Sequence, residues 1–159
     1  MYQKILLTND GSELAAAAVP HAATIAKATG APLVLLQVID SVVHVMTMMT
    51  PSTMEPMSSG EITAGIAEEG VTAQRQEAEQ NLAKIREQLL AEGVTNVTAF
   101  VAEGQPGDAI VDTAAAQGCD LIIMATHGRS GIGRAVLGSV ADHVVRNSHH
   151  AVLLVRPQA

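Results

Sequence analysis

The chain has 159 residues, enough for one domain with a core of its own. It carries a formal net charge of −7 with its acidic residues scattered, so no basic face is available to neutralise the phosphates of duplex nucleic acid. Trp is absent and Tyr2 and Phe100 stand alone, which leaves Ala, Val, Leu, Ile and Met to build the core and favours helices on a buried parallel sheet over an all-β sandwich.

The first apolar run, "KILLTND" (4–10), has strand length and turns polar too early for the apolar segment of a signal peptide. A helical pattern follows over 12–29, with Ser12 as N-cap, Leu14, Ala18, Ala22 and Ile25 at helical spacing, and Gly30 as the stop. "PLVLLQVID" (32–40) reads as a second strand. The segment 41–65 holds five of the seven methionines with Pro51 and Pro56, and no single period runs through it. It is expected to be a long loop with at most one helical turn, either a flap on the domain surface or an adaptable contact surface or lid. From about 65 to 92, Val71, Ala78, Leu82, Ile85 and Leu89 recur every three or four residues, and Gly93 ends the run. "VTAFVAEG" (97–104) is a third strand, and 106–117 a short helix between Pro106 and Gly118. "DLIIMATHG" (120–128) is the fourth strand, 138–147 the last helix, starting at Ser139 and burying Val140 and Val144, and "AVLLVRP" (151–157) the fifth strand.

Strands whose hydrophobicity is continuous rather than alternating are expected to be covered on both faces. The alternation of strand and helix implies right-handed crossovers and a parallel sheet within a single α/β domain, 1–159. Ligands bind such sheets beyond the carboxyl ends of the strands, where the winding reverses. If the first and fourth strands are neighbours, "NDGSE" and "THGRSGIGRAVLGS" share one crevice. No apolar run approaches the roughly 20 residues needed to span a bilayer, so no membrane insertion is expected. Cys119 is the only cysteine and allows no intramolecular disulfide, consistent with a cytoplasmic protein.

The loop after the fourth strand contains Gly128, Gly131, Gly133 and Gly138. Gly133 and Gly138 have the spacing of a P-loop, but the lysine is missing and Ser139 follows directly. Gly131 and Gly133 begin a dinucleotide fingerprint, but Val136 stands at its third glycine, and the first strand-to-helix turn, where that motif belongs, reads "NDGSEL". A third pattern fits better. The loop resembles that of the universal stress proteins: Gly, two residues, Gly, nine residues, Gly-Ser/Thr. Gly128, Gly138 and Ser139 match it, and Ala125 replaces the first glycine. "ATHGRSG", "LGSVADHVVR", the opening strand-helix-strand and "HHAVLLVRP" also resemble that family, so the likeness covers nearly the whole chain.

The resemblance implies a five-stranded Rossmann-like parallel sheet of order 3-2-1-4-5, ATP binding (with AMP or ADP as alternatives), and a homodimer through the C-terminal strand 151–156. It places Asp10 near the adenosine and lets the backbone of Val38 meet the adenine edge. Met124, Ala125, His127 and Gly128 would line the ribose and phosphate path, and Gly138, Ser139 and Val140 would hold the phosphates.

Elementary chemistry supports such a site, because a helix N-terminus favours an anion and glycine lets amides turn inward. Arg129 and Arg134 are the loop's cations and can pair with outer phosphates. If position 125 requires positive φ, its alanine would weaken binding. Each residue also has a plainer reading: Asp10 as a turn or cap residue, Ser139 as an N-cap, His127 as a satisfied polar residue, Val38 as core. Little is supplied for catalysis, since no lysine lies in the loop and no paired carboxylates or Ser-His-Asp set can be placed. His149 and His150 are adjacent at a strand start and face opposite ways, which suits no shared metal; a divalent ion such as Mg would ride on the phosphates. The expected function is an ATP-binding regulatory protein of the stress response with an unidentified protein partner. The rivals are a nucleotide-free dimeric scaffold and an enzyme acting slowly on ATP.

Overall fold

The computed structural model describes residues 1–49, 60–126 and 137–156. Five parallel strands, β1 (Ile5–Thr8), β2 (Leu33–Ile39), β3 (Val97–Glu103), β4 (Leu121–Ala125) and β5 (Ala151–Val155), form one sheet of order β3-β2-β1-β4-β5. The helices are α1 (Glu13–Ala16), α2 (Val19–Thr29), α3 (Val42–Met49), α4 (Gly60–Ala91), α5 (Pro106–Gln117) and α6 (Ser139–Asn147).

The central strands are apolar but for Thr8 and Gln37 because each face has its own helical cover. Successive strand side chains point to opposite sides. Ile5, Leu7, Leu33, Leu35, Leu121 and Ile123 therefore pack with Val19, Ala22 and Ala26 of α2 and Leu82, Ile85 and Leu89 of α4. Leu6, Val34, Leu36, Ile122 and Met124 pack with Ile110 and Ala114 of α5 and Ala141 and Val144 of α6. Small alanines on α2, α5 and α6 let these helices lie close to central strands that carry no aromatic side chains to hold them off.

Several expectations need correction. Residues 12–29 form two helices rather than one, since Pro20 cannot donate a backbone hydrogen bond and crowds the turn before it, so the helix restarts at Val19. Leu14 consequently sits on an exposed turn outside the core. The Met-rich segment is not a loop over its described part. Ser41 caps α3 through its Oγ, which accepts from His44 N–H at 3.3 Å, and Val42 and Val45 dock on Ile39, Val71 and Ala78. The long helix begins at Gly60, ahead of the expected start at 65. Residues 50–59 lie outside the described residues. Of the two edge strands, β3 is not covered on both faces: Thr98, Ala99 and Phe100 are exposed despite their apolar neighbours.

Among the described residues, no helix is long and apolar enough to cross a membrane. Cys119 is buried among the residues between α5 and β4, and burial pushes its thiol pKa up, which disfavours the reactive thiolate.

Candidate functional site

The winding reverses between β1 and β4: from β1 the chain moves outward through β2 to β3, then crosses back over to β4 and on to β5. A cleft of about 380 Å³ opens there, above the carboxyl ends of β1, β2 and β4, within the range typical of small-molecule sites. One wall comes from the first turns of α5 and α6, with Pro106, Ile110, Ser139, Val140 and Ala141. The opposite wall carries Ala15, Asp40, Gln74 and Glu77.

Below α6 the backbone is pinned. Gly138 N–H donates to Thr126 C=O at 2.9 Å, and Thr126 N–H donates to Val155 C=O at 2.8 Å. The first turn of α6 is thus tied to the end of β4 and, through it, to the edge strand. Gly138 occupies the N-cap position itself, with φ −59° and ψ 149°, and having no side chain it supplies no cap. The expected capping by Ser139 does not occur, because Ser139 is already the first helical residue and its hydroxyl lies past the cap position. The first-turn amides of Ser139, Val140 and Ala141 point along the axis out of the helix and have no acceptor within it, while the intrahelical ladder starts with Asp142 N–H to Gly138 C=O. All three residues line the cleft. Val140 is half-buried at this wall rather than buried in the core, where Ala141 takes the place expected for it.

Across the cleft, Asp10 has the turn role that its plainer reading gave it. Its Oδ1 accepts from Ser12 N–H at 3.0 Å and Ser12 Oγ–H at 2.6 Å, and Ser12 Oγ accepts from Ala15 N–H at 3.1 Å, so it organises the turn that starts α1. It also lines the cleft. Gly11 enables this turn, with φ 81° and its N–H donating to Asn9 Oδ1 at 2.7 Å.

Val38 packs its side chain against the α5–α6 core and turns its backbone elsewhere. The β1–β2 register ends at Thr8↔Leu36, with Asn9 N–H reaching Leu36 C=O just beyond it, whereas Ile39 C=O accepts from Gly104 N–H on the β3 side. Alternation along a parallel strand therefore directs the N–H and C=O of Val38 toward the cleft, past the end of β1. Met124 is a core residue with one surface in the cleft. Ala125 is the last residue of β4, paired in register with Val155. Its backbone is extended, so its methyl group carries none of the strain that a positive φ would impose. His127, Gly128 and Arg129 lie outside the described residues, as do Gly131, Gly133 and Arg134.

Asn9 and Gln37, which sequence reasoning passed over, form the cleft floor and are nearly fully buried. Asn81 of α4 donates its amide to Asn9 Oδ1 at 3.0 Å and to Gln37 Oε1 at 2.7 Å. Gln37, the one polar residue inside the "PLVLLQVI" run, was the visible signal. Gln74 closes the far wall, accepting from Asp40 N–H at 3.2 Å. Among the described residues, no group of three or more potential metal ligands comes together.

Comparison with known proteins settles the family. The family model described as "Universal stress protein family" matches residues 1–156. The chain belongs to the universal stress protein family. It is 32% identical to the universal stress protein MJ0531 of Methanocaldococcus jannaschii over 157 residues, 98% of this chain and 83% of that one. The solved structure of protein MJ0577 from the same archaeon is 29% identical, with a TM-score of 0.79 over 100% of this chain and 99% of that one. A universal stress protein solved in complex with cAMP is 25% identical, with a TM-score of 0.67, covering 99% and 98% of the two chains.

The shared fold puts weight on the polar floor beneath the cleft. Replacing Asn81 with Ala takes the side-chain donor from buried Gln37 Oε1 and leaves Asn9 Oδ1 with Gly11 N–H alone, which should lower unfolding stability by about 1–3 kcal/mol, read as a reduced urea midpoint. An unchanged midpoint would mean that solvent already serves those oxygens.

Proposed function

We propose that this universal stress protein binds ATP in the cleft and acts as a cytoplasmic, nucleotide-responsive regulator in a stress response. The observation that carries the reading is the uncapped start of α6, whose Ser139, Val140 and Ala141 amides face a cleft of ligand size. Unpaired N–H groups and the partial positive charge of a helix N-terminus stabilise an anion held there. The opposite end offers the complement. Asp10 accepts hydrogen bonds from ribose hydroxyls or the base, and the inward-facing N–H and C=O of Val38 match the acceptor and donor on the adenine edge. Met124 and Ile110 supply apolar surface between the two ends. The relative that holds cAMP supports an adenine nucleotide as the ligand class.

ATP is preferred to a monophosphate because the sequence from His127 to Gly138 supplies four glycines and two arginines, Arg129 and Arg134, for a chain of phosphates. Mg would then be held through the phosphates. Among the described residues, the cleft is lined by the carboxylates Asp10, Asp40 and Glu77 and by no lysine or arginine, and its carboxylates lie across the cleft from the helix start that receives the phosphates. ATP is accordingly a bound signal rather than a substrate, with hydrolysis slow at most. Protein extracted after purification should release ATP on chromatography; bare protein that also fails to take up added ATP would refute the assignment.

Gly138→Val is the sharper test. Valine adopts the φ and ψ of Gly138 without strain, so the fold and the bond to Thr126 survive, but its branched side chain projects beside the amides. Calorimetry should show ATP binding abolished with the circular dichroism spectrum retained, and wild-type affinity would show that the phosphates do not lie at α6.

The same reading includes a homodimer through residues 151–156. β5 is an edge strand of five residues, AVLLV, with Val152, Leu153 and Leu154 only half-buried, and such an edge invites pairing. Light scattering should give twice the 16.5 kDa chain mass at micromolar concentration. A monomer at high micromolar concentration removes this part of the proposal.

A further inference from the structure

Helix α5 approaches α6 at a point where no side chain other than glycine fits. A Cβ built on Gly107 would stand 2.6 Å from both Cγ and Cδ2 of His143 and 3.0 Å from its Cβ. The two shorter distances are nearly an ångström short of ordinary contact, and two of the three atoms lie at the root of the side chain. Turning the ring about its own bond moves neither Cβ nor Cγ, so relief requires either a new rotamer of His143, which gives up Asp108, or a parting of the helices. The ring is also fastened at its tip, with His143 Nε2 2.8 Å from Asp108 Oδ1. His143 thus lies flat on the backbone of α5 at Gly107 and is held there by the next residue of the same helix.

This contact sits directly behind the cleft. Pro106 and Ile110 flank Gly107 on α5 and line the cleft, while Ser139 and Val140 are one turn before His143 on α6 and line it from the other helix. Ile110, Ala114, Ala141 and Val144 pack beneath in one continuous core, which transmits a change in spacing rather than absorbing it.

We propose that His143, seated on Gly107 and held by Asp108, is the spacer that fixes where the first turn of α6 stands over the cleft and so sets the affinity for the ligand's phosphates. The inference rests on the cleft being a nucleotide site, and it assigns His143, Gly107 and Asp108 as positioning residues, none of which needs to touch the ligand. A shift of α6 by a fraction of an ångström displaces the amides from phosphate oxygens while leaving Asp10 and Val38, on β1 and β2, where they were. The signature is therefore a selective loss: ATP binding falls and adenosine binding does not.

The test uses Gly107→Ala, His143→Ala and the double variant. Alanine is the better helix former at position 107, so a loss of function there is not a loss of helix. Without nucleotide, the ¹H–¹⁵N resonances of Ser139, Val140 and Ala141 should shift in Gly107→Ala and move back toward wild type when His143→Ala is added, because the new methyl then occupies space the ring has left. In titrations, Gly107→Ala should raise the Kd for ATP about tenfold at unchanged Kd for adenosine, and the double variant should recover much of that loss, a non-additivity expected only of groups in contact. Unmoved amide resonances, an equal loss for ATP and adenosine, or a double variant no better than Gly107→Ala would each overturn the spacer. Should Gly107→Ala fail to fold, recovery of folding by added His143→Ala supports the spacer and continued failure overturns it. A wild-type chain that binds neither ligand contradicts the nucleotide reading instead, and the amide resonances then decide whether the spacing device exists.

Discussion

A hydrogen bond of 2.9 Å from Gly138 N–H to Thr126 C=O anchors the architecture of the site. It fastens the beginning of α6 to the end of β4. Because the residue making that bond is glycine, it holds the N-cap position without filling it, and the amides that follow remain directed into the cleft. Serine or threonine at 138 would have satisfied its own helix. The displacement of the hydroxyl by one residue, to Ser139, separates the roles of holding the helix in place and leaving its start open to an anion.

That arrangement works because of the sheet behind it. β1 and β4 are buried on both faces, and so is most of β2. The reversal of winding between them opens a gap at their carboxyl ends. Turn chemistry fills its rim. The Asn9–Gly11 and Asp10–Ser12 bonds start α1 and leave the Asp10 carboxylate at the cleft, and the early end of β1 exposes the backbone of Val38. One end of the cleft is thus suited to an anion and the other to a neutral, hydrogen-bonding ring system. An adenine nucleotide has that polarity.

The layered fold and much of this site were legible in the sequence because they depend on local features. Continuous apolar runs mark strands covered twice, glycines at 30, 93 and 118 mark helix ends, and the glycine spacing before Ser139 marks the loop. Asp10, Val38, Met124, Ala125, Gly138, Ser139 and Val140 all reach the cleft. What was not legible depends on the packing of distant elements. Phe100 belongs to an apolar run yet is exposed, since only the sheet order makes β3 an edge. The α3 helix was hidden because methionine carries little periodic contrast, although Ser41 was a cap signal. Asn9 after β1 and Gln37 inside β2 have no evident partner in the sequence until α4 brings Asn81, 72 and 44 positions away, between them. His143 and Gly107 are likewise unremarkable until two helices cross.

The most direct measurement is a crystal structure of the chain grown with saturating ATP. The account predicts phosphate oxygens within hydrogen-bond distance of the Ser139, Val140 and Ala141 amides, with adenine against the backbone of Val38. ATP bound elsewhere, or a cleft holding only solvent at that concentration, would contradict it.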